Sequence, residues 1–151
     1  MTLLRKNNEQ GFTLIELLVV VAIIGMLVSV VLVSFTNARR RARDAKRISD
    51  MRQLKLGLDI YFSSGAGFPT TASWVPGTDL YCNDSFVFKI PQDLLTGTPY
   101  AYTAGGYSGS GCGGTVMSTY KIQFTTEADS DLGPAGTYYL HPGGITQAAP
   151  F

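Results

Sequence analysis

Histidine occurs once in this sequence, at His141, and cysteine twice, at Cys82 and Cys112. The single histidine has no identifiable partner for proton transfer or nucleophile activation, so it reads as a strand-end or surface residue. Glycine loops of the nucleotide-binding kind are also missing. Gly105-Gly106, Gly109, Gly111 and Gly113-Gly114 lie in a Ser/Tyr/Cys-rich stretch rather than between a strand and a helix, and they read as turns. Enzymatic turnover is therefore not expected. Two further absences organise the chain. Residues 12–35 carry no charge except Glu16, and residues 37–56 contain neither glycine nor proline.

The uncharged stretch is built almost wholly from Val, Leu, Ile, Ala and Met. About 20 such residues suffice to cross the hydrocarbon core of a bilayer as a helix. Within it Glu16 is expensive, because an isolated carboxylate in lipid costs several kcal/mol unless something pairs with it. Ala22, Gly25, Ser29 and Ser34 are small, and small residues let helix backbones approach closely in an apolar setting. Ahead of the run stands a short polar leader containing Arg5, Lys6 and Glu9. It has no apolar body of its own, unlike an ordinary secretory signal.

A glycine, an apolar residue and a glutamate four positions later, opening a hydrophobic helix, form a specific arrangement. The stretch Gly11-Phe12-Thr13-Leu14-Ile15-Glu16-Leu17-Leu18 resembles the processing site of type IV prepilins and type II secretion pseudopilins. The resemblance implies an α+β pilin fold, in which a long N-terminal helix, its first half transmembrane, packs against a small antiparallel sheet. It also implies cleavage between Gly11 and Phe12 by a prepilin peptidase, N-methylation of Phe12, and a role for Glu16 in assembly. There Glu16 would meet the free amine of Phe12 on a neighbouring subunit, removing two isolated charges from hydrocarbon at once. The expected division is a cleaved leader at 1–11, a membrane and polymerisation segment at 12–35, an amphipathic helix at 36–62 and a head at 63–151. The end of the long helix (Asp50-Met51-Arg52 through Gly67-Phe68-Pro69) also resembles this family. So does the segment 91–102, where Leu94-Leu95 replaces the usual proline and tryptophan.

Strong helix formers fill residues 37–56. Ala38, Ala42, Ala45, Ile48, Met51, Leu54, Leu58 and Tyr61 recur at spacings of three or four, which predicts one buried stripe. The helix is expected to end near Phe62, with Ser63-Ser64-Gly65-Ala66-Gly67 as its cap and turn. Residues 70–85 read as a loop in which Trp74 packs, with a turn signal at Asn83-Asp84. Strands are expected at 86–90, 100–103, 116–126 and 137–141, with a last strand or hairpin at 144–146. In 116–126, Tyr120, Ile122 and Phe124 alternate with polar residues, which predicts one buried face. Three or four strands should pack on the helical stripe.

The net charge of +1 hides an uneven distribution. Residues 39–55 are strongly basic and the chain beyond them is acidic. A basic helix beside a membrane suits headgroups, or Asp44 and Asp50 of neighbouring subunits, and phosphate neutralisation makes DNA a further candidate partner. Counted by the positive-inside rule, Arg39, Arg40, Arg41, Arg43, Lys46 and Arg47 outweigh Arg5 and Lys6 and favour a cytoplasmic head. The processing motif and the paired cysteines favour export, where Cys82 and Cys112 would be bridged. Glu127, Asp129 and Asp131 cluster before Gly133-Pro134. On the residues alone this is a solvated acidic turn without EF-hand spacing, and no cofactor is expected. The resemblance adds calcium as a candidate, since major pseudopilins hold it in a comparable late loop.

The expected function is a structural subunit of a type IV pilus-like filament, polymerised through its N-terminal helix. Its expected partners are identical or related subunits, the prepilin peptidase, the pilus or secretion assembly machinery, and membrane lipid before assembly. It would begin as a single-pass inner-membrane protein with its head outside the cytoplasm. The alternatives are a major pseudopilin of a type II secretion system and a membrane-anchored binding domain with a cytoplasmic head.

Overall fold

The structure, a computed structural model, describes residues 11–93 and 100–151, and of residues 32 and 33 the backbone alone. Residues 1–10, which fall within the expected leader 1–11, and the Leu94-Leu95 segment lie outside the described residues. One helix, α1 (Leu14–Gly65), comprises 52 residues. The fold divides after Ala38 into an N-terminal unit and a head unit that begins at Arg39.

In the N-terminal unit every described side chain is exposed, with Phe12 at 87 % and Leu14 at 80 %. Within a single helix nothing covers an all-round apolar surface, because the backbone is satisfied internally and the side chains point outward. This is the one described helix long and apolar enough to cross a membrane. Such a surface is stable where its surroundings are also apolar, namely lipid or the helices of other subunits.

The head unit buries one face of the later helix. Ile48, Met51, Leu54, Leu58 and Tyr61 enter the core, as the spacing predicts. Ala42 and Ala45 do not; both are exposed, and the face there is formed by the buried polar side chains Asp44, Arg47 and Asp50. Asp44 and Asp50 are thus held inside their own chain rather than turned towards neighbours. The helix also outlasts its expected end at Phe62. The hydroxyls of Ser63 and Ser64 both donate to the Ile60 carbonyl, which lets them stay helical, and the left-handed residue is Ala66 (φ 56°). Gly65 serves packing instead. A Cβ there would collide with Cys112 Sγ, and one at Gly111 with the Gly65 carbonyl.

After the helix come β1 (Phe68–Pro69), a 3-10 turn (Thr71–Ser73), β2 (Asp79–Cys82), β3 (Ser85–Lys89), β4 (Ala101–Gly111), β5 (Gly114–Thr126), β6 (Gly136–His141) and β7 (Gly144–Thr146). All pairings are antiparallel. Strand β5 is central, with β4 on one side and both β1 and β6 on the other; β7 extends β6. Along β5, Val116, Tyr120, Ile122 and Phe124 are buried, the period-two face that its alternation predicts.

Two expectations are corrected. Residues 79–82 are a strand rather than part of a loop, paired with β3 around Asn83 (φ 49°) and Asp84 (φ 61°). Two consecutive left-handed residues suit a tight hairpin turn, but a strand with only Leu80 and Cys82 buried carries little periodic signal. Residues 105–111, expected as turns, continue β4 against β5 through a bulge between Gly105 and Ser108. Trp74 stacks on Tyr102 with ring centroids 4.2 Å apart, the packing role expected of it.

Candidate processing site and buried charge cluster

The bond between Gly11 and Phe12 lies in non-helical, exposed backbone just before the helix. No heavy atom stands within 4 Å of where a Cβ on Gly11 would be. The glycine carbonyl there is unhindered, the kind of exposed, non-helical bond that a protease requires. Helix α1 begins with a reciprocal cap. Glu16 Oε2 accepts from the Thr13 backbone N–H at 2.9 Å and from the Thr13 hydroxyl at 2.8 Å. Thr13 Oγ1 accepts in turn from the Glu16 N–H at 3.3 Å. This is a capping box, with the sequence signature Thr13-x-x-Glu16. It satisfies backbone donors that would otherwise be orphaned at the helix start, and it sets a carboxylate at the positive end of the helix dipole. Glu16 is consequently oriented within its own chain.

The head unit contains a second constellation that the sequence reading missed. The Arg47 side chain, 6 % exposed, donates to Asp44 Oδ1 at 3.0 Å, Glu127 Oε1 at 3.0 Å and the Thr125 carbonyl at 3.1 Å. It also forks onto Asp93, at 3.0 and 3.4 Å. Asp44 Oδ2 accepts from the backbone N–H groups of Glu127 and Ala128, both at 2.9 Å. Arg43 grips Glu127 through two nitrogens. That hydrogen-bonded ion pair, with help from Arg47, holds the Glu127 carboxyl down at about 2. Burial opposes the charge of Arg47, but Asp93 and Glu127 outweigh it and keep its pKa above the ordinary arginine value. Beside this cluster Lys46 pairs with Asp50, which accepts from the Tyr100 hydroxyl at 3.0 Å. Burial and the Asp50 charge together push the Tyr100 hydroxyl well above the usual tyrosine pKa. The sequence signal was the excess of arginine opposite an acidic head; which residues would meet depended on the strand register.

Much of the basic run is thereby engaged within the chain, because Arg43, Lys46, Arg47 and Lys55 all pair with its own carboxylates. Cys82 and Cys112 form a disulfide that joins β2 to the β4–β5 turn. His141 ends β6 and accepts from the Gly143 N–H at 3.1 Å. The late acidic residues do not converge on a common point. Glu127 is taken by two arginines, and Asp129 accepts from the Ala135 N–H at 3.0 Å. Asp129 and Asp131 line a hollow together with Arg41 and Arg52. Among the described residues no three acidic, histidine or cysteine side chains are placed to hold a metal ion. The donor set at Glu127, Asp129 and Asp131 does not fit calcium in this arrangement.

Comparison with known proteins agrees with this anatomy. The prokaryotic N-terminal methylation motif matches residues 6–32. The type II secretion system core protein G of Vibrio cholerae is 30 % identical over 142 residues, covering 88 % of this chain and 90 % of the relative. That of Aeromonas hydrophila is 29 % identical over 142 residues, covering 86 % and 94 %. That of Escherichia coli K12 is 37 % identical over 97 residues, covering 58 % and 67 %. No solved structure matches the chain. An N-terminal methylation motif, a lipid-suited helix and a small antiparallel head, matched nearly end to end at this identity, place the chain in the type II secretion system core protein G family.

Proposed function

We propose that this protein is the major pseudopilin of a type II secretion system: a membrane-inserted precursor, cleaved after Gly11, methylated on Phe12 and polymerised into a pseudopilus. The observation that carries the proposal is the likeness to secretion core protein G over most of both chains. It favours the pseudopilus over the type IV pilus expected from the processing motif, which both kinds of filament share. The arrangement at the helix start supports the assembly role. Glu16 is held in a fixed orientation by Thr13, so the amine of a neighbouring Phe12 meets a preorganised acceptor and loses less side-chain freedom on pairing. The Cys82–Cys112 bridge supports a head outside the cytoplasm. It weighs against the cytoplasmic head favoured by the arginines after the membrane segment.

The test is genetic and biochemical together. Cells lacking this gene should fail to export the substrates of their type II secretion system, and the wild-type gene should restore export. Glu16→Ala should be cleaved normally, assemble no filaments and leave export blocked. Export that continues without the gene would refute the secretion role, and normal filaments from Glu16→Ala would refute the role given to Glu16.

A further inference from the structure

We infer that Arg47 is a built-in cation for the head, closing the loop after β5 without a metal ion. Three carboxylates from separate parts of the chain converge on its guanidinium: Asp44 from α1, Asp93 from the connection after β3, and Glu127 from the end of β5. The Thr125 carbonyl is a fourth oxygen, at 3.1 Å. Carboxylates and a backbone carbonyl around one centre are the donors a hard divalent cation takes. Here the centre is filled by a side chain that is 6 % exposed, at the 3.0–3.1 Å separations of N–H···O hydrogen bonds.

The loop itself is secured by backbone rather than by an ion. Asp44 accepts from two successive N–H groups, those of Glu127 and Ala128. Ser130 and Gly133 exchange backbone hydrogen bonds at 2.9 and 3.0 Å, and Asp129 caps the Ala135 N–H. The charges are also nearly matched, since Arg43 and Arg47 face Asp44, Asp93 and Glu127. A dication would have to displace a fork that already satisfies these oxygens. This inference concerns the stability of the head and is independent of the secretion reading.

The test is thermal unfolding of the full chain in detergent, followed by near-UV circular dichroism, in chelator and in millimolar calcium. The wild type should melt at the same temperature in both. A clear rise with calcium would overturn the inference. Arg47→Ala should lower the melting temperature by roughly 10 °C, because it strands buried carboxylates. Alone or combined with Arg43→Ala, it should then recover part of the loss in calcium, which fills the vacated oxygen set. An Arg47→Ala protein as stable as wild type, or variants that calcium never helps, would overturn the inference. Should Arg47→Ala fail to fold, Arg47→Lys keeps one charge without the planar fork. It should fold with a smaller loss and stay indifferent to calcium; a calcium-dependent Arg47→Lys would overturn the inference.

Discussion

The two stretches of α1 share one backbone geometry and differ in almost everything else. Up to Ala38 the helix is apolar on all sides and every described side chain is exposed. From Arg39 it has one buried face, and that face changes from charged residues at Asp44 and Arg47 to fully buried Met51, Leu54 and Leu58. Continuous helix therefore says little about what stabilises it. The first stretch relies on surroundings that a single chain does not supply, whereas the second is held by its own sheet.

Substitutions should separate the two regimes. Leu54→Ala or Leu58→Ala should destabilise the head by about 2–5 kcal/mol, through lost burial and the cavity left behind. Leu18→Ala, equally apolar but 61 % exposed, should leave the head's melting temperature unchanged. Denaturant titration of the full chain in detergent checks both, and equal effects at the two positions would break the comparison. Replacing both Cys82 and Cys112 by serine opens a link across a sequence separation of 30. This should cost the head roughly 3–4 kcal/mol in the chain-entropy model. Helical circular dichroism from the membrane stretch should persist after the mutant head has melted.

The smallest effect is electrostatic. The Glu127 carboxyl is held at about 2, below its ordinary value of 4.5, chiefly by its hydrogen bond to Arg43. Its contribution is fully present above pH 4.5 and is lost as the pH falls towards 2. Glu127→Gln should therefore flatten the acid limb of the head's stability curve while the membrane stretch responds no differently from wild type. An unchanged acid limb would mean that the pair with Arg43 does not persist in solution.

What the sequence revealed follows the same division. An apolar run reports its environment directly, and the alternation of Tyr120, Ile122 and Phe124 reports a buried face, because both patterns are local. Ile48, Met51, Leu54, Leu58 and Tyr61 were legible for the same reason. The polar continuation of that face was not, since Asp44 and Arg47 look like solvent-exposed helix residues until strand register brings Thr125 and Glu127 beside them. Ala66 takes the left-handed cap position within the expected turn, but the packing role of Gly65 was not legible, because the close approach of Cys112 to Gly65 is a tertiary fact. At the candidate processing site the motif pointed to Gly11, Phe12 and Glu16. The capping box is just as local, with Thr13 and Glu16 three positions apart, but a lone carboxylate in an apolar run points first to a partner from another molecule.

The proposed function requires this chain to be a precursor processed at the head of its apolar helix. Intact mass and N-terminal fragmentation of the protein purified from its native membrane test it most directly. The expected result is a chain that begins at Phe12 with a methylated amine and lacks residues 1–11. A mature protein that still begins at Met1 would contradict it.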